Sequence, residues 1–259
     1  MTSHGLEAPI AHRRPGGVPP AAVRALARES VVVAAAMIAY FAVRNLTEGS
    51  TVDAARNAGR LADLERWLGI AWEHALQSVV VGSDLLTTLA NWVYIWGHWP
   101  VILVSAVVLF LVRRTEYYAL RNAIVLSGLI GFAFFALFPV APPRLVDPAL
   151  IDTVTEHSEA YRTLQPPGLT NQYAAFPSLH VGWNLLVGLA LFRAFTHTAV
   201  RVFALATPVL MAFAVVTTAN HWLVDVPAGI AVVLVARRLT ETGRGAQAAT
   251  LVSDGWRRG

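Results

Sequence analysis

Long stretches without charged side chains are the feature that most limits how this chain can fold. Residues 122–143 contain no charged residue, and residues 202–236 contain only Asp225. A helix that crosses the hydrocarbon core needs about 20 mostly apolar residues. Only 14% of the chain is charged, whereas soluble domains carry about 25%. The sequence therefore predicts an all-α fold, a polytopic membrane helix bundle of about six transmembrane helices.

Six apolar segments are candidates for these helices, namely residues 25–44, 84–112, 117–138, 179–196, 200–217 and 221–238. The second is too long for one straight span, and Pro100 near its middle predicts a kink. The alternative is two shorter segments that break at Pro100, each about 14 residues and too short to cross. Glycine and proline inside several spans predict close approach between helices.

The remaining residues form tails and two long loops. Residues 1–20 are rich in Pro and Gly and predict a disordered N-terminal tail. Residues 21–240 are predicted to be the transmembrane domain, and residues 241–259 a cytoplasmic C-terminal tail. Apolar side chains are mixed with charged ones within 46–83, which predicts either an amphipathic helix on the membrane surface or a cap packed over the bundle. The proline-rich residues 139–178 are predicted to form an irregular loop over the site.

The arginines predict the orientation of the bundle. All 20 basic residues of the chain are arginine, and 14 of them lie on one side of the predicted spans. The arginine-rich side of a membrane protein faces the cytoplasm. Both termini are then cytoplasmic in a multi-pass protein of the cell membrane. This topology also explains the pI of about 9.9, so we expect no nucleic-acid partner.

The same topology predicts that distant ionisable residues meet at the extracytoplasmic face. His180 and His221 each begin a predicted helix that runs inward, and Asp225 follows His221 by four residues. Arg144 follows a predicted helix that runs outward. Ionisable side chains at membrane depth are costly and tend to be functional. These four residues therefore predict a polar site at one mouth of the bundle.

The spacing of His221 and Asp225 predicts a nucleophilic imidazole. Residues four apart lie on one face of a helix, and a carboxylate that accepts one imidazole N–H leaves the other nitrogen as the nucleophile. Attack on phosphorus gives a phosphohistidine, and His180 is assigned as the acid that protonates the leaving alkoxide. Two other interpretations are a metal site built from the three side chains and a buried pair that only packs helices.

The segments around these residues resemble a known family. Residues 176–180 read FPSLH, residues 221–225 read HWLVD, and residues 139–144 read PVAPPR. This ordered set is similar to the motifs of the type 2 phosphatidic acid phosphatase (PAP2) superfamily, and especially to its branch of inositol phosphorylceramide synthases, over about residues 40–238. The resemblance implies catalysis without a metal or other cofactor, and it implies the same acid role for His180.

Several further residues are candidates for substrate binding. The guanidinium of Arg144 matches phosphate in a bidentate geometry. Ser178 is predicted at the N-cap of the fourth span, where free helix N–H groups attract anions. Tyr94 and His98 share one face of the second span and either line the cavity or bond between helices. Arg44 is predicted to face outward after the first span, as a headgroup anchor or a phosphate ligand.

The chain departs from the family pattern in two places. Ala214 and Val215 occupy the positions of a Ser-Arg pair in many members of the superfamily, and Leu137 and Leu145 occupy those of the Lys and Pro of its first motif. Both departures favour the lipid phosphotransferase-like branch. They also leave less positive charge for the phosphoryl group, a deficit for which Arg44 is expected to compensate.

The sequence as a whole predicts an integral membrane lipid phosphatase or phosphotransferase. Its partner is a lipid phosphate or phospholipid substrate, and the phosphoenzyme can be resolved by water or by an alcohol such as a headgroup. The alternative is a small membrane transporter or lipid-binding protein without catalysis. No series of ionisable residues crosses the predicted bilayer, which disfavours a proton pathway. The sequence makes no prediction of oligomeric state.

Overall fold

The computed structural model describes part of residues 24–42, then residues 51–157 and 171–256, with side chains as far as residue 242. The chain forms two compact units, Met1–Tyr40 and Phe41–Gly259. The described residues of the first unit are helical. The predicted tail 1–20 and Arg44 lie outside the described residues, and the division into tails and one transmembrane domain stays a prediction.

The second unit confirms the all-α prediction. Its described residues form ten helices and no β-strand, apart from one isolated bridge between Val140 and Ala174. The helices are α1 Thr51–Leu68, α2 Glu73–Val81, α3 Asp84–Trp96, α4 Trp99–Val112, α5 Arg114–Leu137, α6 Pro143–Val146, α7 Thr153–His157, α8 Leu179–Ala194, α9 Thr198–Thr217 and α10 Asp225–Trp256.

Two of these helices, α5 and α9, are long and apolar enough to cross a membrane. Helices α2 and α3 meet the same criterion together, as one segment bent by 117°. Helices α4 and α8 are apolar but shorter. The predicted spans 117–138, 179–196 and 200–217 coincide with α5, α8 and α9 to within a few residues. These apolar helices are compatible with a membrane protein.

The prediction of a single helix kinked at Pro100 is wrong. Helix α3 ends at Trp96, and α4 begins at Trp99 after the intervening Gly97 and His98. Pro100 lies in the first turn of α4. Backbone N–H groups in the first turn have no partner within the helix, so a proline there costs no hydrogen bond. The break places His98 between two helices, with its side chain directed into the protein, where it is 5% exposed.

The last helix begins at Asp225, four residues later than predicted. Residues 218–224 form a turn-rich connection after α9, and Ala219 within it has a positive φ of 54°. This left-handed residue turns the chain out of the helical path. His221 and Asp225 therefore do not lie on one helix face, as the sequence suggested, but meet across a turn.

Helix α8 is the centre of the bundle, because it packs on α4, α5, α9 and α10. It approaches α10 closely at two glycines. A Cβ at Gly182 would lie 2.9 Å from the carbonyl oxygen of Gly229, and a Cβ at Gly229 would overlap the carbonyl oxygen of Ser178. The predicted close approach through glycine is confirmed here, and it brings the beginnings of α8 and α10 together.

Helix α1 is a cap on the bundle, one of the two predicted interpretations of residues 46–83. Its buried face packs against the loops that follow α5, α7 and α9, in a cluster formed by Ala54, Ala58, Leu61, Val140, Ala141, Ala175 and Trp222. The indole of Trp222 donates a hydrogen bond to the carbonyl oxygen of Ala141 at 3.0 Å. The cap therefore contacts the residue that follows His221 in the chain.

The loop after α5 is more regular than predicted, because it contains the short helices α6 and α7. The Gln77 amide ties it to the bundle. Its nitrogen donates to the carbonyl oxygens of Ile151 and Thr217, and its oxygen accepts from the N–H of Ile151 at 2.8 Å. Asn91 exchanges two hydrogen bonds with Thr153. Asn91 thus bonds to the loop.

Candidate active site

His221 lies in the connection between α9 and α10 and is 3% exposed. Its Nδ1 atom is 2.7 Å from the carbonyl oxygen of Ala175 and 3.2 Å from the Oδ2 atom of Asp225. A carbonyl oxygen can only accept a hydrogen bond, so Nδ1 carries the proton of the neutral ring. The Nε2 atom then keeps its lone pair, as a nucleophile requires.

His180 lies in the first turn of α8, directly beside His221. Its Nδ1 atom is 3.4 Å from the Nε2 atom of His221. The His180 ring lies between two aromatic neighbours, Tyr94 with a centroid distance of 4.9 Å and His98 with one of 4.3 Å. The structure therefore brings together His180, His221, Tyr94 and His98, and the last two contact the general-acid candidate.

Asn184, one turn after His180 on α8, was not identified from the sequence. Its side-chain nitrogen donates to the carbonyl oxygen of His180 at 3.0 Å and lies 3.4 Å from the Nδ1 atom of His98. His98 also stacks on Trp183 with a centroid distance of 5.8 Å. These contacts hold His98 against His180. The sequence signal that could have identified Asn184 is a polar residue inside an apolar helix.

Asp225 is fully buried at the beginning of α10. Besides His221, its Oδ2 atom accepts the backbone N–H of Trp222 at 2.8 Å. Its Oδ1 atom has no hydrogen bond within the described part of the chain. The carbonyl oxygen of Asp225 accepts the N–H of Ser178. Asp225 thus joins the connection that carries His221 to Ser178, the residue directly before α8.

Ser178 occupies the predicted N-cap position of α8, but its hydroxyl makes no capping hydrogen bond. The side chain is fully buried, and its Oγ atom has no partner among the described residues. A buried hydroxyl without a partner is costly. At the amino end of α8, this hydroxyl is free to bind an anion together with helix N–H groups.

Arg144 lies in α6, with 13% of its side chain exposed. Its Nε atom donates to the Oδ2 atom of Asp152 at 3.1 Å, and its backbone N–H donates to the carbonyl oxygen of Ala219. The charge of Arg144 acts on both His180 and His221. Asp152 was not identified from the sequence, because its contact with Arg144, eight residues earlier, depends on how the loop folds.

The side-chain donors do not fit a single metal ion. His221 presents Nδ1 to Asp225 and Nε2 to His180, so the two neighbours lie at opposite nitrogens of the ring. Among the described residues, no group of three or more His, Asp or Glu side chains is arranged to hold a metal ion. The three-ligand metal interpretation of the sequence therefore has no geometric support.

Two buried glutamates of the cap also reach the His221 connection, and sequence reasoning missed them. Glu73 accepts the N–H of Leu223 at 2.9 Å, and Glu65 accepts the N–H of Val224 at 2.7 Å. Burial raises the pKa of Glu65 to about 8, and its hydrogen bond with Glu73 adds to this effect. In the sequence both residues are among the charged side chains that are mixed with apolar ones within residues 46–83.

An apolar cavity of about 650 Å³ lies between α3, α4, α8 and α9. Trp92 and Trp96 of α3 and Leu210 and Met211 of α9 are among its lining residues, together with Asn184. Asn184 also contacts His98 and the backbone of His180, so one residue of the cavity lining touches the site.

Comparison with curated proteins and with solved structures gave no match. Comparison with protein families gave a match to the PAP2 superfamily over residues 59–239. The matched segment is more than half of the chain, and it contains all of the described residues assigned above to the candidate site. It begins inside α1, ends inside α10 and includes every helix between them. This chain therefore belongs to the PAP2 superfamily, whose members are generally phosphatases.

Proposed function

We propose that this protein is an integral membrane enzyme that cleaves or transfers a lipid phosphoester through a phosphohistidine on His221. One observation carries the proposal. The Nδ1 atom of His221 faces two acceptors, the Ala175 carbonyl oxygen and the Asp225 carboxylate. The Nε2 lone pair is left facing a second imidazole, that of His180, at 3.4 Å.

In the first half-reaction, the Nε2 atom of His221 forms a bond to phosphorus while the bond from phosphorus to the leaving oxygen breaks. Protonated His180 gives its proton to that oxygen. The His221 ring becomes positively charged, and Asp225 compensates this charge. In the second half-reaction, water or an alcohol attacks phosphorus, the phosphorus–nitrogen bond breaks, and His180 takes the proton of the attacking oxygen.

The phosphoryl oxygens are bound by donors at the rim of this pair. Arg144 directs Nε to Asp152, and within the described residues its two Nη groups make no hydrogen bond. The unpartnered hydroxyl of Ser178 and the amino end of α8 supply neutral donors. Preorganised donors of this kind supply most of the rate enhancement in phosphoryl transfer.

Substrate binding must open the histidine contact. An in-line transfer places both phosphorus and the leaving oxygen between nucleophile and acid, and 3.4 Å between the two nitrogens leaves no room for them. Tyr94 and His98 touch the His180 ring through aromatic contacts, which allow the ring to shift without losing a hydrogen bond to either of them. We infer that the observed arrangement is the resting state of the enzyme.

The substrate is a lipid phosphate or phospholipid whose headgroup enters from the extracytoplasmic side, with both termini of the protein in the cytoplasm. The apolar cavity beside Asn184 accommodates a hydrocarbon chain near the paired imidazoles. Transfer to an alcohol acceptor such as an inositol headgroup follows the same two steps as hydrolysis. Arg44 is proposed to add positive charge to the site, because the chain lacks one family arginine at Val215.

The test uses purified protein in detergent with a chelator present. Phosphate release from lipid phosphates is measured with and without alcohol acceptors, and products are identified by mass spectrometry. We expect His221→Ala to abolish turnover and to lose an acid-labile, alkali-stable phosphoryl label. His74→Ala is the matched control, because His74 is half exposed and pairs with Asp147 on the outer surface. Full activity of His221→Ala would refute the proposal.

A further inference from the structure

Three consecutive N–H groups directly after His221 are bound by three carboxylates. Trp222 donates to Asp225, Leu223 donates to Glu73, and Val224 donates to Glu65, at 2.8, 2.9 and 2.7 Å. Asp225 follows directly, as the first residue of α10, whereas the two glutamates come from the cap, about 150 residues earlier in the chain. The main chain of the nucleophile is thus held from outside the bundle.

The turn between α1 and α2 brings the two glutamates together. Gly69 adopts a positive φ of 71°, a conformation that other residues rarely adopt. Ile70 then donates its N–H to the carbonyl oxygen of Glu65 at 2.9 Å. This turn closes α1 and begins α2 so that Glu65, near the end of one helix, meets Glu73, the first residue of the next.

Both carboxyl groups are buried, with Glu65 0% and Glu73 3% exposed. The Oε2 atom of Glu65 finds no donor among the described residues, and the Glu73 carboxyl lies close enough to Glu65 to share a hydrogen bond when one of the two is protonated. Two adjacent buried carboxylates repel each other, so one proton between them is the stable arrangement. The titratable groups that face Glu65 are Glu73 from α2 and Asp225 from α10.

We propose that Glu65 and Glu73 share one proton and act as positioning residues, which hold the peptide groups after His221 so that its imidazole keeps its place. This inference rests on the proposed function, since it assumes that His221 is the nucleophile. Neither glutamate contacts the reacting atoms. Their contribution is to fix the main chain on one side of His221, while Ala175 and Asp225 fix the ring itself.

Displacement of the nucleophile lowers the rate of the reaction more than the affinity for the substrate. A shift of about 1 Å in a reacting group costs on the order of 100-fold in rate. We therefore expect Glu65→Leu, which leaves the Val224 N–H without an acceptor, to lower kcat by about that factor with little change in KM. Glu65→Gln keeps an acceptor for Val224 and a donor for Glu73, so it should restore most of the lost kcat.

The matched control is Asp63→Asn, two residues away on the same helix. The Asp63 side chain is 69% exposed and pairs with Arg66 on the outer face. We expect this variant to keep both kcat and KM. Near-ultraviolet circular dichroism of each purified variant shows whether its tertiary packing is intact.

The dependence of kcat on pH tests the shared proton directly. The pKa of Glu65 lies at about 8, so in the native protein the pair loses its proton above that value and the two carboxylates separate. Wild-type kcat should therefore fall above pH 8, and this alkaline fall should be absent in Glu65→Gln, which has no proton to lose.

These outcomes separate this inference from the proposed function. An active His221→Ala variant refutes the proposed function, whatever the glutamate variants do. If His221→Ala is inactive but Glu65→Leu keeps wild-type kcat, only the positioning role fails. If Glu65→Leu does not fold, the pH comparison decides, and identical alkaline profiles of wild type and Glu65→Gln overturn the shared proton.

Discussion

The Nε2 atom of His221 faces the Nδ1 atom of His180 across 3.4 Å, although 41 residues separate them in the chain. Each imidazole is held by different partners. His221 is fixed through its other nitrogen by Ala175 and Asp225, whereas His180 is held between aromatic rings. One ring is therefore fixed by hydrogen bonds and the other by aromatic contacts, which fits the proposed roles of a stationary nucleophile and a movable acid.

Replacement of Asp225 by Asn should lower kcat without changing the tautomer of His221. The Ala175 carbonyl oxygen still accepts a hydrogen bond from Nδ1 at 2.7 Å. The variant therefore loses only the negative charge that stabilises the positively charged His221 ring. A serine-protease aspartate loses about 10⁴-fold when the tautomer also changes, and we expect a smaller loss here, on the order of 100-fold. Steady-state kinetics on a lipid phosphate measures this loss. A loss as large as that of His221→Ala would contradict the role assigned to Ala175.

The effect of His180→Ala should depend on the leaving group. A general acid contributes about 10²–10⁴-fold when the leaving alkoxide is a poor leaving group, and much less when the leaving group departs without a proton. We expect a large loss of kcat with an alkyl phosphate and a small loss with a nitrophenyl phosphate. Parallel assays of the two substrates test the assignment, and equal losses would remove His180 from the role of acid.

Arg144 should not be replaceable by Lys. Its Nε atom is bound to Asp152 at 3.1 Å, which leaves the two Nη groups for phosphate, and a lysine offers neither this fork nor the ion pair in the same geometry. We expect Arg144→Lys to lose on the order of 100-fold in kcat. Asp152→Asn should raise KM, by a smaller factor than this loss of kcat. Arg56→Lys, in an exposed pair with Asp53, is the control and should behave as wild type.

Stability should fall as the pH rises from 4.5 to 8, because of Glu65. Burial and the neighbouring Glu73 raise the pKa of Glu65 from 4.5 to about 8, so the folded state binds one more proton than the unfolded state between these values. The contribution is complete below pH 4.5 and is lost as the pH rises through 8. Melting temperatures in detergent across this range should decline more steeply for wild type than for Glu65→Gln, and parallel declines would contradict the raised pKa.

The contact between α8 and α10 should be intolerant of one added methyl group. A Cβ at Gly229 would overlap the carbonyl oxygen of Ser178, and overpacking a tight contact costs about 1–3 kcal/mol. Gly229→Ala should therefore lower the melting temperature and the activity, since Ser178 precedes His180 by two residues. Gly59 on α1 has no neighbour within 4 Å of such a Cβ, so Gly59→Ala should gain about 1 kcal/mol of helix stability.

The contact between the two histidines was predictable, because the order of the apolar segments sets which helix ends lie on the same side. The local geometry was not. Asp225 was expected on the helix face of His221, but it is the first residue of α10 and accepts the N–H of Trp222. Whether a residue caps a helix or lies within it is decided by such competing hydrogen bonds.

Other parts of the site depend on long-range packing that spacing cannot show. Glu65 and Glu73 lie in a segment whose pattern fits both a membrane-surface helix and a cap, and burial decides between these. Pro100 was expected to kink a helix, whereas the break at Gly97 moves it into a first turn where it is tolerated. His98 reaches the site only because of this break.

The acceptor that orients His221 has a consequence for how this enzyme can vary. The oxygen in contact with Nδ1 belongs to the main chain of Ala175, so exchanging the side chain at that position does not delete it. Single substitutions at position 175 would test how its buried side chain packs against the cap, while the peptide oxygen there continues to set the protonation pattern of the ring. Only a change in the path of the backbone, such as an insertion or deletion in residues 171–177, can take this control away.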